Sequence, residues 1–285
     1  MNTYKEIKTE IRDKSLIIFL SRPEKMNTFT KNMQEEIVHA LDEAEKNDDI
    51  RSIIFTGDGK AFCAGADLSS GGDTFDSSSE NKKNNVVRDS GGLLTLRLFK
   101  STKPLIGAIN GVAVGIGATM LLPMDVRICS NTARFGFVFA KRGIVPEAAS
   151  SWFLPRLIGI EKALKLCYSG KVINAEEALD FKLVSEIVSE ESLIERALQI
   201  AKEFTAESSQ ISIAITRQLM WRMLGADDPM EAHKIDSRAV NELGRSGEAE
   251  EGVMSFLEKR KPIFPGKVSK DMPSFYPWWS EKEFE

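Results

Sequence analysis

Apolar residues recur with two different periods along this chain, and the change of period divides it. In the first 150 residues, short apolar runs alternate with amphipathic stretches. Residues 4–12 and 15–21 read as strands joined by a turn at Asp13-Lys14, and Arg22-Pro23 closes the second. Met33, Ile37, Ala40, Leu41 and Ala44 share one face of a helix over 31–47, with Thr30 as its N-cap. A buried strand over 50–56 ends at Gly57-Asp58-Gly59. A helix over 89–102, a strand over 105–109, an apolar helix over 115–123 and strands near 125–129 and 134–139 follow. After about 150 the texture becomes helical, with helices over 150–157, 160–168, 174–180, 190–206, 209–224, 229–243 and 247–259, and the switch from mixed α/β to all-helix falls near 205. Leu193, Ala197, Ile200, Ala201 and Phe204 form one stripe. The pattern predicts an α/β core over 1–205 and a helical region with an aromatic, proline-rich tail over 206–285. Such a tail has no core of its own, so it should lie extended against the body or a neighbouring subunit.

Composition narrows the class. At 285 residues the chain can bury roughly 75% of its unfolded surface. Hydrophobic residues at 42% and charged residues at 28% exclude wholesale disorder. A net charge of −4 argues against a nucleic-acid binder that works through bulk positive charge. No apolar run is long enough to span a bilayer, and neither a signal nor a transit peptide is expected. Phe284-Glu285 is not a peroxisomal address, which leaves the cytoplasm as the expected compartment. Cys63, Cys129 and Cys167 are odd in number and lack motif spacing, as in a reducing compartment. Residues 69–85 are rich in Ser, Gly and Asn and read as a mobile loop, a candidate lid.

Several chemistries find no support. His39 and His233 have no partner at metal-ligand spacing, so no metal site is expected. There is no dinucleotide or P-loop glycine pattern and no nucleophile elbow. What does stand out is a pair of small-residue turns, Ala64-Gly65-Ala66-Asp67-Leu68 and Asn110 to Gly117. Small side chains admit a ligand to the backbone, and two free N–H groups aimed at one point can hold a developing oxyanion.

The chain resembles the crotonase (enoyl-CoA hydratase/isomerase) superfamily. Arg22-Pro23-Glu24-Lys25-Met26-Asn27, Ala61 to Leu68, and Lys103 to Gly111 carry the resemblance. Asp125, Phe135-Gly136, Gly143-Ile144-Val145-Pro146 and the stretch 175–188 extend it in the family order. The resemblance implies a crotonase-like ββα spiral core with a C-terminal helical trimerisation region, assembled as a homotrimer or a hexamer of paired trimers. It implies an acyl-CoA thioester as substrate, with no separate cofactor because coenzyme A belongs to the substrate. Nucleic acid and membrane are not expected as partners. By resemblance the oxyanion amides are those of Ala66 and Ile116. Lys25, Asn27, Ala64, Gly65, Asp67, Leu68, Gly115 and Phe139 would line the substrate groove, although Asp67 and Asp125 match positions that are usually structural.

The family's hydratases hold a water with two glutamates. Matched residue by residue, these fall on Thr119 and Phe139, neither of which can act as a base near neutral pH. A different acid, Glu147, follows Pro146, and its motif is most similar to that of Δ3,Δ2-enoyl-CoA isomerases. One carboxylate between C2 and C4 could remove a proton from the first and return one to the second. If Phe137, Phe139, Ala148, Ala149 and Trp152 line its pocket, desolvation should raise its pKa. The alternatives are a hydratase drawing a second acid (Asp73, Asp76 or Glu80) from the loop, and a CoA-ester-binding scaffold without activity.

Overall fold

The computed structural model describes residues 4–76, 78 and 87–284. Its elements follow a repeating order. Strands β1 (Ile7–Arg12) and β2 (Ser15–Leu20) form a hairpin, and helix α1 (Lys31–Lys46) follows. Thr30 caps α1 by accepting the Met33 N–H at 3.0 Å, as its sequence position predicts. Strands β3 (Ser52–Gly57) and β4 (Ala61–Cys63) precede helix α2 (Ser90–Phe99). Strands β5 (Leu105–Ile109) and β6 (Val112–Val114) precede the short helix α3 (Ile116–Thr119). Strands β7 (Val126–Ser130) and β8 (Arg134–Gly136) precede α4 (Ser150–Ile158) and α5 (Ile160–Ser169). Then come β9 (Val172–Asn174), α6 (Ala175–Asp180), β10 (Glu186–Val188), α7 (Leu193–Thr205), α8 (Gln210–Met223), α9 (Pro229–Leu243) and α10 (Gly247–Leu257).

The β1–β2 hairpin lies wholly in a six-stranded sheet, order β1-β2-β3-β5-β7-β10, and each ββα turn from β3 on gives its first strand to that sheet and its second to a four-stranded sheet, order β4-β6-β8-β9. Successive turns therefore stack as a spiral. The pairings between turns are parallel, while β1–β2 and β8–β9 are antiparallel. The period-2 alternation of the large sheet divides its side chains between two cores. Leu16, Ile18, Ile53 and Phe55 face the main core with α1. Ile17, Ile54, Ile106 and Ile128 face Leu193, Ala197, Ile200 and Ala201 of α7.

Three differences from the sequence reading have physical causes. The region beyond 150 is not wholly helical, because β9 and β10 complete the sheet edges; three residues are too few to show a period. The predicted helix over 115–123 holds as α-helix only over Ile116–Thr119, and Thr119 to Met124 continues in turns. Residue 205 is not a clean boundary, since α8 is bolted to the core. Buried Arg217 pairs with Asp125 at 2.9 Å and donates to the carbonyls of Leu98, Phe99, Ser101 and Pro123. Trp221 reaches the other oxygen of Asp125 at 2.7 Å, and Asp125 also accepts the Leu105 N–H. The structural reading of Asp125 fits this set of bonds.

The tail folds back on its own chain. Phe275 and Trp278 pack against the cluster built by Ile211, Ile215 and Ala239, and the Arg222 guanidinium lies 3.2 Å from the Trp279 ring centre. Among the described residues no helix is long and apolar enough to cross a membrane.

Candidate active site

The small sheet brings the two small-residue turns side by side. Strands β4 and β6 are parallel neighbours; the first turn begins where β4 ends, and the second contains β6 itself and bends just after it at Gly115. Each turn bends at a glycine with positive φ, Gly65 at 113° and Gly115 at 55°. A Cβ on Gly117 would overlap the Cys63 carbonyl, so only glycine lets α3 sit this close to β4. Along the first turn, Ala64 donates to Met26, Phe29 donates to Gly65, and Asp67 donates to Phe29. That ladder uses the N–H groups of Ala64 and Asp67 and the Gly65 carbonyl, and skips the N–H of Ala66. Ile116 opens α3, where the first N–H groups have no intrahelical acceptor. Among the described residues, no backbone acceptor takes the N–H of Ala66 or of Ile116.

Glu147 reaches the same region from the other side. Its Oε1 accepts the Thr119 hydroxyl at 2.6 Å, and Thr119 lies one helical turn from Ile116. A Cβ on Gly91 of α2 would overlap its Oε2 and crowd Ile116 Cδ1 at 2.6 Å. The carboxyl thus fills a slot between α2 and α3 that exists because residue 91 has no side chain. Phe137, Phe139 and Ala148 belong to the main apolar core and Ala149 and Trp152 pack against it; of the five, Ala148 is the one that meets the same slot, with its Cβ 3.2 Å from where a Gly91 Cβ would be. Burial is the leading cause that pushes the Glu147 carboxyl up to about 7; the Thr119 bond opposes the rise and the nearby Asp89 carboxylate adds to it.

The backbone that carries Glu147 is unusual. Ala148 and Ala149 both sit in the left-handed region, with φ of 58° and 53°. For residues with a Cβ this costs roughly 1–2 kcal/mol each and persists only where neighbours enforce it. Helix α2 does so. Thr95 donates to the Ala148 carbonyl at 2.9 Å, and Asp89 accepts the Ala148 N–H at 3.3 Å. Phe99, at the end of α2, meets Trp152 and Phe153 of α4 edge-on, with ring centres 5.9 and 5.8 Å apart.

Sequence reasoning missed Asp89 and Thr95. Asp89 caps α2 through the Gly92 N–H, and its negative charge is one of the causes that raise the Glu147 carboxyl. The signal available was Asp before Ser-Gly-Gly, which marks a helix start and nothing more. The sequence reading sought a second acid within 69–85. Asp73 and Asp76 form a short surface turn with bonds to their own segment, and residues 77 and 79–86, which include Glu80, lie outside the described residues. That part of the lid expectation lies outside them as well.

The remaining expected groove residues divide. Gly115 lies beside Gly65, within 3.8 Å of where its own Cβ would be, and Ala64 and Ala66 are partly exposed. Leu68 is exposed, and half-exposed Lys25 sits 3.6 Å from Asp67. Asn27 needs correction as a ligand-contacting side chain. It is fully buried, it accepts the Arg22 N–H, and it donates to the carbonyls of Asp58 and Ala61, so no polar atom of it is left for a ligand. Asp67 is likewise committed: the Arg22 guanidinium at 2.7 Å holds its carboxyl well below the usual range. Phe139 is buried in the core. Cys63 is no nucleophile, since burial pushes its thiol up to about 12.

Known proteins share this architecture. A profile of the enoyl-CoA hydratase/isomerase family matches residues 10–267. An enoyl-CoA hydratase from Alternaria alternata, AFT3-1, is 42% identical over 249 residues, covering 87% of this chain and 82% of its own. The 1,2-epoxyphenylacetyl-CoA isomerase of Escherichia coli K12 is 33% identical over 258 residues, covering 88% and 95%. The crystal structure of a probable enoyl-CoA hydratase/isomerase from Mycobacterium abscessus superposes with a TM-score of 0.84 at 28% identity, covering 92% of this chain and 99% of that one. The ββα spiral, the paired turns and these matches agree: the chain belongs to the enoyl-CoA hydratase/isomerase family and has the crotonase fold.

Proposed function

We propose that the protein moves a double bond in an acyl-CoA thioester, converting a 3-enoyl-CoA to the trans-2-enoyl-CoA. The observation that carries this reading is the position of Glu147: a largely enclosed carboxyl, tethered to Thr119, beside two turns with unclaimed amides. The thioester oxygen binds the N–H groups of Ala66 and Ile116. Charge that builds on this oxygen as C2 loses its proton is stabilised there, each such donor contributing about 2.7–4 kcal/mol. Glu147 takes the C2 proton as a carboxylate, and its acid form delivers a proton to C4. A carboxyl that titrates near 7 exists in both forms at neutral pH, which suits the two roles. Ala64, Gly65, Leu68, Gly115 and Lys25 flank the path of the coenzyme. Thr119 and Phe139 stand where the hydratases of the resembled family carry glutamates, which disfavours ordinary hydration.

The apolar side chains on α9 and α10 support assembly as a trimer or hexamer. Val240, Val253, Phe256 and Leu257 are all more than half exposed on one chain.

Hydration is the second reading, favoured by the names of several relatives and by the second carboxylate, Asp89. Purified protein offered 2-enoyl, 3-enoyl and dienoyl-CoA esters distinguishes the readings. Isomerisation yields trans-2-enoyl-CoA from the 3-enoyl ester without uptake of water, whereas 3-hydroxyacyl-CoA as the main product would refute it. A scaffold would bind the esters and convert none.

A further inference from the structure

Glu147 and Asp89 differ in one respect that matters for a proton. The Glu147 carboxyl is enclosed by Gly91, Ile116, Ala148 and the Thr119 hydroxyl, whereas Asp89 is exposed. Asp89 sits against the turn that carries Glu147: its Oδ1 accepts the Ala148 N–H at 3.3 Å, and Glu147 Oε2 lies against Gly91, two residues along from Asp89. Asp89 Oδ1 is held by the N–H groups of Gly92 and Ala148, and among the described residues Oδ2 takes no donor. Capping alone does not explain an acid here. Asn or Ser would cap α2 equally well without setting a second negative charge beside Glu147.

We propose that Asp89 is the proton-exchange residue of the site, linking the enclosed Glu147 carboxyl to bulk water. This rests on the reading of Glu147 as the base. When Glu147 takes the C2 proton, the C–H bond breaks, an O–H bond forms on Glu147, and the electron pair moves into the thioester enolate. The Asp89 carboxylate accepts that proton from Glu147, releases it to water and takes another. Glu147, protonated again through Asp89, supplies C4, and the enolate pair closes as the new C2–C3 double bond. No proton is gained or lost overall. An enclosed acid without such a link returns to C4 the same proton that it took from C2.

Isotope incorporation in D2O tests this. Wild-type protein, Asp89→Asn, Asp89→Ser and Asp89→Glu are given a 3-enoyl-CoA, and deuterium at C4 of the product is counted per turnover by mass spectrometry. Asn and Ser keep an acceptor for the α2 cap, so one of them serves if the other fails to fold. The expected result is solvent deuterium in most wild-type product, a fall of at least about threefold in Asn or Ser, and recovery in Glu. Deuterium per turnover that is unchanged in Asn and Ser overturns the proposal, even if the rate falls, because a merely positioning residue would alter rate alone. Product that retains the original proton in the wild type also overturns it. A saturated acyl-CoA in D2O separates this idea from the isomerase reading, because exchange at C2 needs the same relay and no double-bond shift. If no 3-enoyl ester is isomerised, the isomerase reading falls. Slower C2 exchange in Asn and Ser then still supports the relay, whereas equal exchange, or none in the wild type, overturns it.

Discussion

Glu147 must ionise inside apolar surroundings, and that conflict sets its behaviour with pH. The folded protein holds this carboxyl near 7 against an ordinary value of 4.5, so folding favours its neutral form. Below 4.5 the group is protonated in both folded and unfolded chains and costs nothing. Between 4.5 and 7 the unfolded chain sheds the proton first, so stability falls across that window and is level above it. At most about 3 kcal/mol is involved, less any relief from partial exposure. Glu147→Gln should therefore be more stable than the wild type at pH 8 and equal to it at pH 4, as denaturant titration at both pH values will show. The same substitution should lower turnover by about 10²–10⁴-fold while acyl-CoA binding, followed by calorimetry, persists. Wild-type kcat/KM should climb with pH to a limb near 7 and lose that limb in the variant. Gly91→Ala offers a complementary check. Alanine favours a helix by up to about 1 kcal/mol over glycine, yet its methyl claims the place of Oε2, so activity should drop at least about tenfold in a protein that remains folded. Of these two residues, Glu147 was legible in the sequence because it follows a recognisable Gly-Ile-Val-Pro run. Gly91 and Asp89 were not, because a residue that matters by vacating space, or by meeting a partner far along the chain, leaves no local pattern.

Elements show the same division between what is local and what is not. Long periodic segments such as α1 and α7, and the strands of the large sheet, follow directly from their apolar spacing. The three-residue strands β9 and β10 form because a sheet edge is waiting for them, and their own residues carry little of that information. Helix α2 has the largest role that its sequence conceals. Through Asp89 and Thr95 it grips Ala148 in the left-handed turn at two points, and through Phe99 it packs on the helix that follows, which together fix where Glu147 sits. The tie between α8 and the core is just as concentrated. Arg217→Ala should cost about 3–5 kcal/mol, since it leaves Asp125 without its cationic partner and takes a donor from four carbonyls, only two of which, Phe99 and Ser101, keep a bond from Gln218 Nε2. Urea unfolding of the variant measures it, and a loss below about 1 kcal/mol would show that α8 is held chiefly by apolar packing.

At the scale of the molecule, apolar side chains remain on the outside of α9 and α10 after the tail has folded back on its own chain. Val253→Glu combined with Phe256→Glu should lower the particle mass in sedimentation and leave a folded single chain, because charge does not survive in the middle of an apolar contact. An unchanged mass would place any subunit contact elsewhere. The division at 205 drawn from periodicity foresaw the helical region but not the depth at which α8 enters the core, since a buried arginine in a helix reads as an exposed one. The pairing of β4 with β6 reaches furthest. Adjacent strands keep a spacing of about 4.8 Å whatever side chains they bear, so the distance between the two small-residue turns is a property of the main chain. Mutational drift can rewrite the acids around that grip without loosening it. A library confined to residues 89–95 and 147–150 is therefore the economical route by which this scaffold would acquire a different reaction on the same thioester.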